Sequence, residues 1–222
     1  MNKTFKPDAL IFDADGVIVD SEILWDRSQE ILLSRRNLIY DRNYLKPKLA
    51  GVTMLQGAEI LVDYYKIDED PQSLAAERQK LIEQLFKTDI HFIPGFSEFL
   101  QYIDKIDIKY CIATSMQKRL MVSVNNKLHL DELFDNKIYH TEDVGNISKP
   151  NPDIFLFAAE RLSMLPEKCL VIEDSPHGIE AAKRADMYVA GLATTFEPAI
   201  LNQADFVALD FKHLTSYLAN LL

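Results

Sequence analysis

The stretch ALIFDADGV, residues 9–17, decides the fold of this chain. Its first four residues are apolar, and two aspartates and a glycine follow at once. A short apolar run that ends in turn-forming residues predicts a buried strand. We therefore expect a strand over Ala9 to Phe12, with Asp13 and Asp15 just beyond its carboxyl end.

Four further apolar runs are as short as the first and predict strands of the same sheet. They alternate with longer helical patterns, which is typical of parallel strands joined by crossover helices. The predicted strands are Tyr110 to Ala113, Leu170 to Ile172, Tyr188 to Leu192 and Phe206 to Leu209. The sequence thus predicts an α/β fold with a Rossmann-like, three-layer parallel-sheet core.

A long insertion separates the first two predicted strands, and it is far longer than one crossover needs. Its apolar residues recur three and four positions apart, which indicates helices. The predicted helices are Ser21 to Arg36, Thr53 to Tyr65 and Gln72 to Phe86. We expect residues 18–92 to form an inserted helical cap domain, and residues 1–17 and 93–222 to form the α/β core.

Polar residues follow three of the predicted strands at their carboxyl ends. Thr114-Ser115 comes after the second strand, and Glu173-Asp174 comes after the third. The carboxyl ends of parallel strands face one crevice, so these residues should meet Asp13 and Asp15 there. Four acids at one edge repel each other unless protons or a divalent cation relieve the charge. Hard oxygen ligands without clustered His or Cys favour Mg²⁺.

Composition limits the partners that the chain can have. The formal net charge is −10 and the sequence pI is about 5.0, which argues against binding nucleic acid or membrane phosphates. The apolar run at the N-terminus is too short for a signal peptide, and no later stretch is long enough to span a membrane. A cytoplasmic location is expected. Cys111 and Cys169 lie in apolar runs and are expected to be inert core thiols.

The polar residues at the strand ends resemble the motifs of the haloacid dehalogenase-like (HAD) hydrolases. Residues 13–17, DADGV, are similar to the DxDG signature of that family, and Thr114 resembles the hydroxyl residue that ends its second core strand. Lys149, in the run SKPNPD, resembles the lysine that precedes a helix, and residues 173–175, EDS, resemble the acidic metal motif. The match covers the whole chain. The insertion is placed as in the branch that includes β-phosphoglucomutase and sugar-phosphate phosphatases.

The resemblance implies an aspartyl-phosphate mechanism. Asp13 would attack phosphorus through a carboxylate oxygen. Asp15 would protonate the leaving alkoxide and later deprotonate water. Thr114 and Lys149 would hold the transferring oxygens, with Ser115 beside them in the substrate-binding set.

The resemblance also implies a magnesium site and a cap that selects the substrate. Mg²⁺ would be held by Asp13, Asp174 and the backbone carbonyl of Asp15, with Glu173 supporting the metal shell. The cap would close about hinges near 17–20 and 92–95 and exclude water. The candidates for substrate selection are Trp25, Gly51, Thr53 and Met54, with Arg42 and Lys48 as anion contacts.

The leading hypothesis is a phosphatase of small phosphorylated metabolites, and three alternatives remain. The first is a phosphohexomutase; in the mutase pattern an arginine stands where Met54 stands here, and a histidine where Trp25 stands. Loss of that phosphate anchor favours hydrolysis. The second is a dehalogenase, which would not need Asp15. The third is a non-catalytic binding module built on the same scaffold. Each motif taken singly could also serve only as a turn or a helix cap. Neither the individual metabolite nor the oligomeric state can be read from the sequence.

Overall fold

The structure is a computed structural model, and it describes residues 5–49 and 52–222. This part of the chain contains six strands and ten α-helices. The strands are β1 (Ala9–Phe12), β2 (Lys109–Thr114), β3 (Ile138–His140), β4 (Cys169–Glu173), β5 (Tyr188–Leu192) and β6 (Phe206–Ala208). The helices are α1 (Glu22–Ser34), α2 (Arg42–Leu49), α3 (Met54–Tyr65), α4 (Pro71–Thr88), α5 (Phe96–Lys105), α6 (Lys118–Leu128), α7 (Leu130–Leu133), α8 (Asp153–Arg161), α9 (Pro176–Arg184) and α10 (Phe211–Leu221).

The six strands form one parallel sheet in the order β3-β2-β1-β4-β5-β6. Strand β1 lies at the centre, with Phe12 opposite Ile112 of β2 on one side and Ile172 of β4 on the other. The predicted α/β fold is confirmed. Because the strand order reverses next to β1, the crevice at its carboxyl end is the expected ligand site of such a sheet.

Helices cover both faces of the sheet because its strands are apolar on both faces. On one face, Ile11 packs in a buried cluster with Phe155 of α8 and Ile179 of α9. On the other face, the Phe12 ring contacts those of Phe96 and Phe99 of α5 edge to face, with centroids 6.1 and 6.0 Å apart. All six of these side chains are at most 1% exposed. The two apolar layers fix β1 and therefore the position of Asp13.

The chain divides into two compact units. One unit contains the residues up to Asp20 together with His91–Leu222, and the other is Ser21–Ile90. The second unit consists of α1 to α4 and has an apolar core of its own, which includes Leu32, Leu61 and Leu74. The cap bounds of 18–92 stay a prediction. The boundaries between the two compact units lie within three residues of these bounds.

Two elements of the structure were not expected from the sequence. Strand β3 has only three residues, of which Ile138 and Tyr139 are half-buried, so it lacks a recognisable apolar run. Helix α2 is rich in basic residues, contains Pro47 and buries only Leu45. Asp186 has φ = 56° after the end of α9, a conformation that glycine adopts more readily.

The two cysteines are buried and unbonded to each other, as predicted. Burial raises the pKa of the Cys169 thiol to about 11 and that of Cys111 further. Both thiols therefore stay protonated at neutral pH. In residues 5–49 and 52–222, no helix combines the length and apolar character needed to cross a membrane.

Candidate functional site

Asp13 follows the central strand directly, so the fold places it at the carboxyl edge of the sheet. Its backbone N–H donates to the carbonyl of Ile172 at 3.0 Å, which continues the pairing of β1 with β4 by one residue. The residue is only 5% exposed. A carboxylate that is buried this deeply needs a compensating partner.

Lys149 is that partner. Its Nζ lies 2.5 Å from Asp13 Oδ1 and 2.7 Å from Glu173 Oε1. It also lies 4.7 Å from the centre of the Phe155 ring, on the first turn of α8. The lysine side chain is 8% exposed. One buried cation therefore joins two carboxylates from different strands.

Glu173 has hydrogen-bond partners on both carboxylate oxygens. Oε1 contacts Lys149, and Oε2 accepts from the backbone N–H and the hydroxyl of Ser175, each at 2.9 Å. A Cβ at position 178 would overlap this carboxylate, so Gly178 allows the helix to approach it. Ser175 also caps α9 by accepting from the N–H of Gly178 at 3.1 Å. The acidic motif is thus a helix start as well as part of the site.

Asp174 lies against the turn that follows Asp13. Gly16 in this turn has φ = 69°, and a Cβ there would overlap Asp174 Oδ2. Glycine is required on both counts. The turn is also held from β5, because the Thr194 hydroxyl donates to the Gly16 carbonyl, and the Thr195 side chain hydrogen-bonds to Asp174.

The sequence interpretation missed Thr194 and Thr195. They come soon after the apolar run Tyr188 to Leu192, at the carboxyl end of a fourth strand. The rule that singled out Thr114-Ser115 would have found them had it been applied to this strand too.

The electrostatics of the site are those of crowded carboxylates. Burial raises the pKa of Asp13 to about 7, with the Lys149 cation working against this and the charges of Glu173 and Asp15 adding to it. Burial, followed by Glu173 and Asp13, raises the pKa of Asp174 well above its ordinary range, and the Thr195 hydrogen bond opposes the rise. Although burial disfavours its charge, Lys149 has a raised pKa because Asp13 and Glu173 face it. The acids outnumber the cation.

Asp15 and the end of β2 are the remaining parts of the site at the carboxyl edge of the sheet. Asp15 is half-buried and close enough to raise the pKa of Asp13 and Asp174. Thr114 is fully buried at the end of β2, and its Oγ1 accepts from the N–H of Met116 at 3.0 Å. Ser115 is exposed beside it. Five predicted residues, Asp13, Asp15, Lys149, Glu173 and Asp174, therefore interact, while Thr114 and Ser115 lie on the neighbouring strand end.

The predicted substrate residues of the cap lie in the other compact unit. The Trp25 ring contacts Phe86 edge to face, with centroids 6.3 Å apart. The Thr53 hydroxyl caps α3 by accepting from the N–H of Gln56, and Met54 packs against the apolar core of this unit. Their contact with a substrate stays a prediction.

The remaining cap candidates are either paired within the cap or not described. Arg42 donates to Asp26 Oδ2 at 2.8 Å, and Lys48 Nζ lies 4.3 Å from the centre of the Tyr44 ring. Gly51 lies outside the described residues.

The donors at this edge fit a hard divalent cation. No group of three or more His, Cys, Asp or Glu side chains in the described residues is arranged to hold a metal ion. The expected set needs only two carboxylates, Asp13 and Asp174, with the carbonyl of Asp15 as the third ligand. Both carboxylates are buried and have pKa values raised by their neighbours, so a cation would relieve their repulsion. Oxygen-only donors of this kind suit Mg²⁺.

Comparison with known proteins gives a consistent family. Residues 10–192 match the model of a family described as "Haloacid dehalogenase-like hydrolase". A "Phosphorylated carbohydrates phosphatase" of Thermotoga maritima is 32% identical over 182 residues, which cover 80% of this chain and 81% of the relative. A "(DL)-glycerol-3-phosphatase 1, mitochondrial" of Arabidopsis thaliana is 32% identical over 213 residues, which cover 91% of this chain and 71% of the relative.

Solved structures share the fold over nearly the whole chain. A HAD family hydrolase of Deinococcus radiodurans, crystallised with phosphate and sodium, superposes with a TM-score of 0.86 at 26% identity and covers 97% of this chain and 96% of its own. A Thermotoga maritima protein provisionally named a β-phosphoglucomutase has a TM-score of 0.83 at 28% identity and covers 96% of this chain and 99% of its own.

Proposed function

This chain belongs to the haloacid dehalogenase-like hydrolase family, and from this premise we propose that it is a magnesium-dependent phosphatase of small phosphate monoesters, sugar phosphates above all. The observation that carries the proposal is the buried contact of Lys149 with Asp13 and Glu173 at the carboxyl edge of the sheet. The phosphatase names of two relatives, each 32% identical, support the reaction class. The substrate would be a small phosphorylated metabolite, in line with the carbohydrate phosphates named for the Thermotoga relative.

Asp13 would act as the covalent nucleophile. Lys149 holds Oδ1 at 2.5 Å, which leaves Oδ2 as the oxygen to attack phosphorus. Attack would form an aspartyl-phosphate and release the alcohol, and water would then hydrolyse the acyl phosphate. The rigid attachment of Asp13 to β1 and β4 supports this role because a fixed nucleophile needs little reorganisation.

Asp15 would serve as the general acid and then the general base. It lies two residues beyond the nucleophile, after the buried strand, and is half-buried. In the first step it would give its proton to the leaving oxygen, and in the second it would take a proton from the attacking water.

Lys149 and Thr114 would bind the transferring oxygens. Lys149 offers the positive charge, and it remains a cation because two carboxylates raise its pKa. The Thr114 hydroxyl accepts in its bond from Met116, so its own proton can be donated to a phosphoryl oxygen. Ser115 would bind beside it. Donors fixed before the reaction stabilise the charge that develops on those oxygens.

Asp13, Asp174 and the carbonyl of Asp15 would hold the magnesium ion. When bound, Mg²⁺ neutralises negative charge, so that an anionic nucleophile can approach an anionic ester. Glu173 has both oxygens engaged by Lys149 and Ser175, and we assign it the support of Lys149 and of this metal site rather than direct ligation.

A phosphate-release screen tests the proposal. The purified chain is assayed with sugar phosphates, nucleotides, phosphoglycolate and an aryl phosphate, each with Mg²⁺ and with a chelator. We expect release that depends on Mg²⁺ and is fastest for a sugar or polyol phosphate. Interconversion of two hexose phosphates without release would instead identify a mutase. No turnover of any compound would leave the binding module as the better account.

Magnesium binding should depend on pH in a defined direction. The pKa of Asp13 is about 7 in the folded chain against an ordinary 3.8, so the folded chain holds the extra proton between these values. Without metal, its free energy of unfolding should therefore fall as the pH rises through this window. Mg²⁺ competes with the proton, so it should raise the melting temperature more at about pH 8 than at about pH 6. Equal shifts at both pH values, or the same pH dependence in Asp13→Asn, would contradict the assignment.

Thr195 should tune the metal site through Asp174. Replacing Thr195 by Val keeps its shape but removes the hydroxyl that hydrogen-bonds to Asp174. We expect the Mg²⁺ concentration for half-maximal activity to rise roughly tenfold or more, and the Mg²⁺-induced rise in melting temperature to shrink. Thr195→Ser should restore both values. If the valine variant binds Mg²⁺ as the parent chain does, Thr195 has no such role.

A further inference from the structure

The cap unit contains a buried chain of hydrogen bonds that joins α1, α4 and the start of α3. The Ser28 hydroxyl donates to the carbonyl of Trp25 at 2.7 Å and accepts from Gln29 Nε2 at 3.2 Å. Gln29 Oε1 accepts from Arg78 Nε at 3.2 Å, and Arg78 Nη1 donates to the carbonyl of Met54 at 3.1 Å. These hydrogen bonds therefore connect Trp25 to Met54 without a break, and both are predicted substrate residues.

The three side chains that carry these bonds are almost wholly buried. Ser28, Gln29 and Arg78 are 2%, 3% and 4% exposed. Buried polar groups are retained with their partners in place because an unmade bond is costly there. Each hydrogen bond of this network therefore constrains the next one.

Arg78 is the unusual member because its charge is not offset. Burial lowers its pKa to about 10, and no carboxylate in the described part of the chain opposes this effect. A buried charge bonded only to neutral oxygens is expensive, and an apolar side chain of the same size would often be as stable. Fold stability alone therefore does not account for an arginine here.

The backbone of α3 is shaped around the guanidinium. Gly57 is buried, and a Cβ at this position would collide with Arg78 Nη1. The missing side chain lets Arg78 reach the Met54 carbonyl at the first residue of α3. A glycine within a helix costs stability. The buried arginine and the helical glycine are thus both unfavourable by themselves, and both are needed for this one contact.

We propose that the buried hydrogen bonds of Ser28, Gln29 and Arg78 position Trp25 and Met54 relative to each other and so determine which phosphate ester the enzyme prefers. These are positioning residues, and the inference rests on the proposed phosphatase function. Misplacing a substrate contact by about an ångström can cost a hundredfold in rate. The network should therefore affect metabolite substrates that use the cap. It should matter little for an aryl phosphate, whose good leaving group needs little binding energy from remote contacts.

The test is a double-mutant cycle on substrate preference. The variants are Arg78→Met, Gln29→Met and their combination, and the readout is kcat/KM for the best sugar phosphate divided by kcat/KM for 4-nitrophenyl phosphate. We expect each single variant to lower this ratio about tenfold or more, and the double variant to fall no further than the lower single one, because both break one network. Arg78→Lys should keep part of the ratio, since lysine can reach one of the two oxygens.

The matched control is Arg35→Met, which removes a cap arginine whose side chain is 52% exposed and paired with Glu77. Its ratio should equal that of the parent chain. Unchanged ratios in folded Arg78→Met and Gln29→Met would overturn the inference, as would equal losses for both substrates. If Arg78→Met does not fold, Gln29→Met and Arg78→Lys decide the same question.

Hydrogen exchange separates this inference from the proposed function. The amides of α3 near Met54 and Gly57 should exchange faster in Gln29→Met than in Arg35→Met, whether or not the chain is a phosphatase. If the parent chain releases no phosphate from any ester, the proposed function fails. If it does release phosphate but exchange and substrate ratios are unchanged, only the positioning role fails.

Discussion

Asp13→Asn should abolish turnover and leave the fold intact. The amide cannot attack phosphorus, and removal of another covalent nucleophile has cost on the order of 10⁶ in kcat. The folded chain should not suffer, because burial already raises the pKa of Asp13 and a neutral group of the same shape avoids the charge. Lys149 keeps its contact with Glu173. We expect a melting temperature equal to or above that of the parent chain, measured beside steady-state phosphate release.

The matched control for this variant is Asp8→Asn. Asp8 is exposed, precedes β1 and pairs only loosely with Lys168, at 3.4 Å. Its activity should be that of the parent chain. Turnover by Asp13→Asn within a small factor of the parent would exclude covalent catalysis by Asp13.

Lys149→Met should impair both stability and activity. The substitution leaves two carboxylates, Asp13 and Glu173, buried without their shared cation, and breaking a buried pair in this way costs about 3–5 kcal/mol. Loss of one fixed donor to the transferring oxygens should lower kcat by roughly 10² to 10³. Denaturant unfolding and phosphate release measure the two effects.

The stability loss should depend on pH and on the partner acid. Without Lys149 the carboxylates take up protons more readily, so the loss should be larger at about pH 8 than at about pH 6. Adding Glu173→Gln should restore part of the stability but none of the activity. Lys168→Met is the control, because that lysine is 48% exposed and a surface pair contributes at most about 1 kcal/mol. Equal unfolding free energies for the Lys149 and Lys168 variants would contradict the role of the buried pair.

The core of the fold could be predicted because its strands are continuous apolar runs. Ala9–Phe12 is buried at every position, and such a run indicates a strand even when its partners are unknown. The same logic fails for Ile138–His140, which is short and half-buried at the edge of the sheet. Helix α2 was not predicted because only Leu45 of its eight residues is buried, so the sequence has no periodic apolar pattern there.

The candidate site could be predicted as a set of residues but not as a set of bonds. The strand ends bring Asp13 and Glu173 to one edge, yet nothing in the sequence says that Lys149 contacts both. The packing of α9 that brings Gly178 onto Glu173 is equally a property of the assembled fold. The bond from Arg78 to Met54 joins positions 24 residues apart through the cap interior, and no sequence period encodes it.

The central claim is that Asp13 carries the phosphoryl group during turnover. The most direct test is to mix the parent chain with Mg²⁺ and a sugar phosphate that it hydrolyses, quench in acid within one turnover, and analyse the peptides by mass spectrometry. We expect one phosphoryl group on Asp13, which is absent in Asp13→Asn and when chelator replaces Mg²⁺. A chain that releases phosphate while Asp13 stays unmodified at every quench time would contradict the account.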